Sequence, residues 1–244
     1  MKSYHRASST PRCDARAWPS GGDLWYTCDM ERLKIHLEHP QRRHVVRVIE
    51  CMRAGGVVIC PTDTTYGLCC DLFLPRSIDR IRRLKGLEAD HPLSFLCPDL
   101  SDIARYGIVE DRNFRILRRH TPGRYTFVLP ATREVPRLVQ NRKTRTVGIR
   151  IPESAVCRAM LEELGHPIIT TTVALPRQQQ GKQAASQQAY LNDPDVIEQA
   201  FGRSVDMFLD GGPIHGEPSS VIDLTGEAPV ILRAGSGDTS WIDT

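Results

Sequence analysis

From Gln41 to Ala54 the apolar residues Val45, Val48, Ile49 and Met52 follow a helical period, and Arg42, Arg43, Arg47 and Arg53 fall largely on other faces. That pattern predicts an amphipathic helix. Gly55-Gly56 closes it, because glycine readily takes the left-handed position after a helix. Val57 to Cys60 is a short apolar run and reads as a buried strand, which Pro61 breaks to open a loop from Thr62 to Gly67. Further on, Ser77 reads as the N-cap of a helix that buries Ile78, Ile81 and Leu84. Leu93 to Cys97 reads as a strand, and Asp111 to Arg119 as a helix with Phe114 and Leu117 inward. Arg118 and Arg119 end that helix, where cations suit the helix dipole.

Strands are expected over Tyr125 to Leu129, Thr146 to Ile151 and Ile168 to Val173. A helix capped by Ser154 and ended by Gly165 lies between the last two. Pro176 to Ala189 is a polar, glutamine-rich loop. A helix over Pro194 to Phe201 and strands over Val205 to Leu209, Ser219 to Asp223 and Val230 to Leu232 complete the chain. Strands and helices alternate, so the class is α/β in a single domain. Several strands follow one another without a helix, which favours a mixed sheet. Residues 1–32 lack periodicity and are expected to form a disordered or extended tail, with the domain over 33–237 and a short tail over 238–244.

Composition narrows the class. The 244 residues are 40% hydrophobic and 25% charged, as in an ordinary globular protein. No run approaches the roughly 20 apolar residues needed to span a bilayer, so no membrane association is expected. The net charge of +3 permits an anionic ligand without requiring one. The eight cysteines lack zinc-knuckle spacing. They read as reduced, small hydrophobes in a cytoplasmic protein, without a structural metal.

No phosphate-binding P-loop is present, since Gly181-Lys182 lacks the required glycine five positions earlier. The informative segment is PTDTTYGL at 61–68, which places three threonine hydroxyls, one carboxylate and a tyrosine at the end of a buried strand. Open α/β sheets bind ligands at such places. The same hydroxyls could instead satisfy the loop's own backbone, and the residues alone leave both readings open.

PTDTTYGL is followed in order by RRLKGLEADHPLSF, TPGRYTFVLP, TVGIRIP, IITTT and PSSVIDLT. This series resembles the YrdC/YciO-type family from about Ile35 to Gly235, and its wording is nearest the YciO branch. The resemblance implies a twisted, mixed open sheet flanked by helices with a concave, basic cavity. It also implies a threonylcarbamoyl-AMP synthase-like activity, joining L-threonine, bicarbonate and ATP with the help of Mg2+, for the t6A modification of tRNA. Carried over by motif, Lys85 and Arg150 would be catalytic and Thr62, Thr64, Tyr66 and His91 would contact substrate, with Tyr66 walling the threonine pocket. Lys85, Thr126, Arg150, Thr172, Ser219, Ser220 and Arg233 would hold the nucleotide. A strand arginine such as Arg150 is costly inside unless paired, so it faces either an anion or a structural salt bridge.

Two positions depart from the family pattern. Leu87 stands where the resemblance implies an arginine, and Ala174 where it implies an asparagine. His91, Arg83 and Arg124 are the nearby groups able to compensate. An alternative implied by the same resemblance is a protein that binds tRNA or double-stranded RNA without synthase activity. Arg142, Lys143 and Arg145 form a basic loop, and Arg115, Arg118 and Arg119 a basic helix face, which would serve it or simply be solvated.

Overall fold

The computed structural model describes residues 30–88, 91–175 and 190–242. Cys13, Cys28, most of the expected N-terminal tail and the loop from Pro176 to Ala189 with Gly181-Lys182 lie outside the described residues. The element order is β1 (Glu31–Lys34), α1 (Arg42–Arg53), β2 (Val58–Pro61), β3 (Tyr66–Asp71), α2 (Pro75–Lys85), β4 (Ser94–Leu96), α3 (Leu100–Tyr106), α4 (Asp111–His120), β5 (Tyr125–Pro130), β6 (Thr146–Arg150), α5 (Ala155–Leu164), β7 (Ile168–Thr172), α6 (Pro194–Phe201), β8 (Met207–Asp210), β9 (Ser220–Asp223) and β10 (Val230–Arg233).

All ten strands join one sheet, ordered β1-β8-β2-β3-β7-β4-β6-β5-β9-β10. The pairs β1–β8, β2–β8, β4–β6 and β5–β9 are parallel. The pairs β2–β3, β3–β7, β4–β7, β5–β6 and β9–β10 are antiparallel. The sheet is therefore mixed and open, flanked by helices on both faces.

Strand alternation divides the core into two clusters, because successive side chains point to opposite faces. Ile59, Leu68, Cys70, Phe95, Phe127, Ile149 and Ile222 pack with Ile78 and Ile81 of α2, Ile103 of α3, Leu117 of α4 and Ile197 of α6. Val58, Cys60, Cys69, Leu96, Ile168, Met207 and Leu209 pack with α1 and α5 through Val48, Ile49, Met52, Val156 and Met160. Helices α1 and α5 touch each other and β2, and α1 also touches β3 and β8. No described helix packs on that face over β6, β5 and β9.

Several local expectations hold in detail. Gly55 takes φ +94° just after α1. Ser154 caps α5 by accepting from the Cys157 amide, and Gly165 at φ +83° ends that helix. Other features differ. Helix α2 starts at Pro75 with Leu74 as its N-cap, and Ser77 is buried in its first turn, donating instead to Gly55 O at 2.9 Å. Proline at the first helical position supplies the start signal, since its missing N–H is no loss there. Phe114 is exposed, while Asn113 takes the inward place beside Leu117 and donates to Leu224 O.

Strands β1 and β3 and helix α3 carry too little pattern to be foreseen. β1 is a polar edge strand that begins inside the expected tail, at Glu31. β3 is buried on both faces, so it shows no alternation, and it begins at Tyr66 inside the stretch expected to be loop. Near the C-terminus, Trp241 stacks on His120 with ring centroids 4.2 Å apart. Trp241, within the expected C-terminal tail, thus packs against the end of α4. Of the described cysteines, Cys60, Cys69, Cys70, Cys97 and Cys157 are buried free thiols, and Cys51 is half-buried.

Candidate functional site

A cavity of about 420 Å³ opens on the sheet face that α1 and α5 leave bare. Its floor follows from alternation. On β5, Phe127 and Leu129 enter the core, so Thr126 and Val128 line the cavity. On β6, Val147 and Ile149 are buried in the core, so Thr146, Gly148 and Arg150 face the opening. Ser94 of β4, Thr170 and Thr172 of β7, and Val221 and Asp223 of β9 continue the surface. Glycine keeps the floor low at Gly148, where a Cβ would meet Thr126 Cγ2 at 3.1 Å and Ser94 Cβ at 3.2 Å.

The loop from Thr62 to Thr65 forms one wall. Thr62 Oγ1 donates to Thr65 O at 2.6 Å and accepts from the amides of Thr64 and Thr65 at 3.1 and 3.2 Å. This hydroxyl staples its own turn, which is the second of the two readings the sequence left open. Thr64 differs, because its hydroxyl accepts from Arg150 Nη1 at 2.9 Å. Gly216 backs this loop, and a Cβ there would collide with Thr64 O.

Arg150 ends β6 as a buried guanidinium. Its Nε donates to Gly123 O at 3.3 Å, and its Nη2 lies 2.7 Å from Asp63 Oδ2. Both partners of this ion pair are below a tenth exposed, at 7% and 8%. A buried pair of this kind depends on both members, because either one left alone is an uncompensated charge. Arg150 thus ties β6 to the threonine loop. Asp63, which sequence reasoning left without a role, is its counter-ion.

Two further cations approach. Arg233, at the end of β10, donates through Nε and Nη2 to Ser219 O at 3.2 and 2.8 Å. Burial holds its guanidinium below the usual value, and the neighbouring Arg150 adds to that. Lys85, the last residue of α2, reaches the wall from behind. Its Nζ donates to Thr172 O at 2.6 Å and Thr171 Oγ1 at 3.2 Å. Burial, helped by the charge of Arg233, lowers its pKa to about 8. Asp63 and Asp223 partly offset these cations, so the cavity is less basic than the sequence implies.

Of the residues singled out by sequence, Thr62, Thr64, His91, Thr126, Arg150, Thr172, Ser219 and Arg233 line the cavity. Thr126 Oγ1 and Ser219 Oγ lie 2.8 Å apart. Lys85, Tyr66 and Ser220 do not line it. Tyr66 shares a strand face with Leu68 and Cys70, opposite Gly67, so its ring packs edge-on against Phe208 in the core. Its hydroxyl donates to Gly212 O at 2.6 Å and accepts from the Gly211 amide at 3.0 Å. Burial raises its pKa. Ser220 points the other way from Ser219 and donates to Gly237 O at 2.6 Å.

The two departures are occupied structurally. Leu87 packs against the core, and Ala174 is fully buried in a bridge with Tyr190. Of the three named compensating groups, His91 lines the cavity, Arg83 does not, and Arg124 borders a different hollow beside Tyr125. Sequence reasoning missed Ser94, Asn141, Thr144, Thr146, Thr170 and Asp223 as lining residues. Alternation from the buried Val147 and Ile149 was the available signal for Thr146 and Gly148. Asn141 and Thr144 come from a loop and had none.

An open mixed sheet that leaves a hydroxyl-rich, cation-flanked hollow on one bare face defines an α/β protein built to hold a small polar ligand. Comparison with known proteins makes this specific. The Sua5/YciO/YrdC family model, described as telomere recombination, matches residues 50–235, and the chain belongs to this family. It is 37% identical over 204 residues to the uncharacterized protein YciO of Escherichia coli strain K12, covering 84% of this chain and 95% of that one. The crystal structure of E. coli YciO superposes with a TM-score of 0.79 at 34% identity, over 87% of this chain and 99% of that one. The threonylcarbamoyl-AMP synthase of Bos taurus is 31% identical over 181 residues, 71% of this chain and 61% of its own. The structure of Pyrococcus abyssi Sua5 complexed with L-threonine superposes with a TM-score of 0.73 at 25% identity, over 84% of this chain and 57% of that one.

Proposed function

We propose that the chain is a threonylcarbamoyl-AMP synthase-like enzyme that forms threonylcarbamoyl-adenylate from L-threonine, bicarbonate and ATP, for t6A modification of tRNA. One observation carries this reading. Arg150 pins the threonine-rich loop to the sheet at the rim of a cavity that Arg233 of β10 also lines, while Lys85 of α2 braces its wall from behind through Thr171 and Thr172. The likeness to the threonylcarbamoyl-AMP synthase of Bos taurus and to Pyrococcus abyssi Sua5 complexed with L-threonine supports it. The volume of about 420 Å³ suits a small molecule, since such sites run from about 300 to 1,000 Å³.

The chemistry asks little covalent work of the protein. The threonine amine adds to the carbon of carbon dioxide drawn from bicarbonate, and the carbamate oxygen then attacks the α-phosphorus of ATP. The bond to the bridging oxygen breaks and pyrophosphate leaves with its electron pair. Positioning and charge stabilisation are the main terms in phosphoryl transfer of this kind. Here Thr64 and Ser94 offer hydroxyls to the amino acid. Lys85 and Arg233 would oppose the negative charge gathering on the phosphates, while Arg150 keeps the two sides in register. Mg2+ would come with ATP and would supply neutralisation of the charge on its phosphates. Among the described residues no group of three or more carboxylate, histidine or cysteine ligands could hold a metal by itself. Asp223 is the carboxylate placed to contact a nucleotide-borne ion.

The test is incubation with L-threonine, bicarbonate, ATP and Mg2+, following pyrophosphate. Release that depends on L-threonine and disappears in Lys85→Ala supports the reading. Release no faster than in Lys85→Ala, at any amino acid, overturns it.

A further inference from the structure

A second hollow, of about 740 Å³, lies beside the first and is built almost wholly from the connection between β5 and β6. Arg133, Arg137, Arg142 and Arg145 surround it, with Thr132 and Gln140 as neutral polar neighbours. From Ala131 to Arg145 the chain carries five Lys or Arg residues and a single carboxylate, Glu134. Glu134 faces away toward Arg105, 4.0 Å off. Among the described residues no carboxylate pairs with the four arginines of this hollow. Some arginines elsewhere are paired, Arg32 with Asp195, Glu198 and Asp210, Arg47 with Glu31, and Arg80 with Asp206, whereas others such as Arg115, Arg118 and Arg119 of α4 have no carboxylate partner among the described residues either.

All four arginines are exposed, and what sets them apart from an evenly spread basic face is that they line one recess. Like charges gathered around one recess raise the local potential and attract a counter-anion. In addition, Arg145 takes φ +55°, the left-handed region. That conformation is disfavoured for a non-glycine residue. It is held because the Arg145 amide donates to Asn141 O and its carbonyl accepts from the Ala131 amide, both at 2.8 Å. Asn141 Oδ1 also accepts from the amides of Lys143 and Thr144. A tightly bonded turn thus fixes an arginine where asparagine or glycine would be the relaxed choice.

We infer that this recess is a second anion site, which takes a polyphosphate such as pyrophosphate or tripolyphosphate. Guanidinium groups bind phosphate oxygens through paired, parallel hydrogen bonds, and four arginines around one recess suit a chain of phosphates. The lining holds no aromatic side chain on which a base could stack, so the recess recognises the anion rather than a nucleobase. It shares the 141–146 segment with the first cavity, since Asn141 and Thr144 face that cavity whereas Arg142 and Arg145 face this one. The inference stands apart from the synthase reading, because none of the four arginines belongs to the first cavity.

Calorimetric titration of tripolyphosphate into the full chain, into Lys85→Ala and into Arg142→Gln/Arg145→Asn tests it. Binding is expected to survive Lys85→Ala and to weaken by about tenfold or more in the double variant, as loss of charged hydrogen bonds implies. Asparagine tolerates the left-handed region, so the thermal midpoint of the double variant should not fall, which separates lost binding from lost folding. L-threonine binding at the first cavity should be unchanged in the double variant. Unchanged tripolyphosphate affinity in that variant would overturn the site. So would loss of all binding in Lys85→Ala, or binding of an RNA duplex without binding of tripolyphosphate.

Discussion

One face of the sheet is used in two opposite ways. Over β8, β2 and β3 it presents Met207, Leu209, Val58, Cys60 and Cys69 to helices α1 and α5, and these side chains are 5% exposed or less. Over β7, β4, β6 and β5 the same face presents Thr170, Ser94, Thr146, Gly148 and Thr126, with no described helix packed on β6 or β5. The backbone is continuous across the boundary. At Gly67 of β3 and Thr172 of β7, paired in register, the surface changes from packing to binding. Apolar side chains recruit a covering layer because burial removes them from water. Hydroxyls gain little from being covered and pay a desolvation penalty unless partnered. The open half therefore stays available for a ligand that brings the missing partners.

The largest test of this contrast is at the Asp63–Arg150 ion pair. Arg150→Ala is expected to lower stability by about 3–5 kcal/mol, because it strands the buried Asp63 carboxylate. It should also abolish threonine-dependent pyrophosphate release. Asp63→Asn/Arg150→Gln should recover much of the stability, seen in denaturant unfolding, and none of the activity. Recovery of both would show that Arg150 acts only as structure.

Next in size is an exchange of character between the halves. Val58→Thr places a hydroxyl under α1 and α5, with an expected cost of about 1–3 kcal/mol. Thr170→Val removes a hydroxyl from the open half and should stay within about 1 kcal/mol in unfolding while weakening ligand binding. Equal costs at the two positions would erase the distinction.

A pH effect follows from Lys85. Its pKa of about 8 lies below the usual lysine value, so its ammonium is mostly present at neutral pH and lost above. An anion beside it favours the charged form, so binding takes up a proton near pH 8. ATP affinity should therefore fall as pH rises between about 7 and 9, and Lys85→Arg should flatten that fall. Stability runs the other way. Between about 8 and 10.5 the unfolded chain holds this proton and the folded one does not, so this group's contribution grows with pH. The smallest effect is expected at the floor. Gly148→Ala projects a methyl into the cavity and presses on Thr126 and Ser94, so ligand affinity should drop severalfold with little change in unfolding.

Much of the fold was legible because its elements carry a period. Helix α1 shows a clear stripe through Val45, Val48, Ile49 and Met52, and those four are its buried residues. Helix α4 was read with one wrong inward residue, Phe114, since Asn113 reaches the carbonyl of Leu224 across 111 residues of sequence. β3 was invisible because a strand buried on both faces shows no alternation. In the site, the loop PTDTTYGL was visible as a cluster of hydroxyls, yet the side each one faces was not. Tyr66 looked like a pocket wall and is a core ring that holds the loop at Gly211 and Gly212. Thr62 turned inward to its own backbone while Thr64 reached Arg150.

The order and type of most elements, the α/β class, the family and the residue chemistry available to a site are properties of local pattern and motif, and the sequence alone determined them. Which hydroxyls share a cavity, which cation is already paired and which half of the sheet stays bare depended on strand order. That order brings β6 between β4 and β5 and sets Asp63 against Arg150, 87 positions apart. A buried charge finds its partner only when distant strands close on it, so the pairing of Asp63 with Arg150 belongs to the tertiary structure.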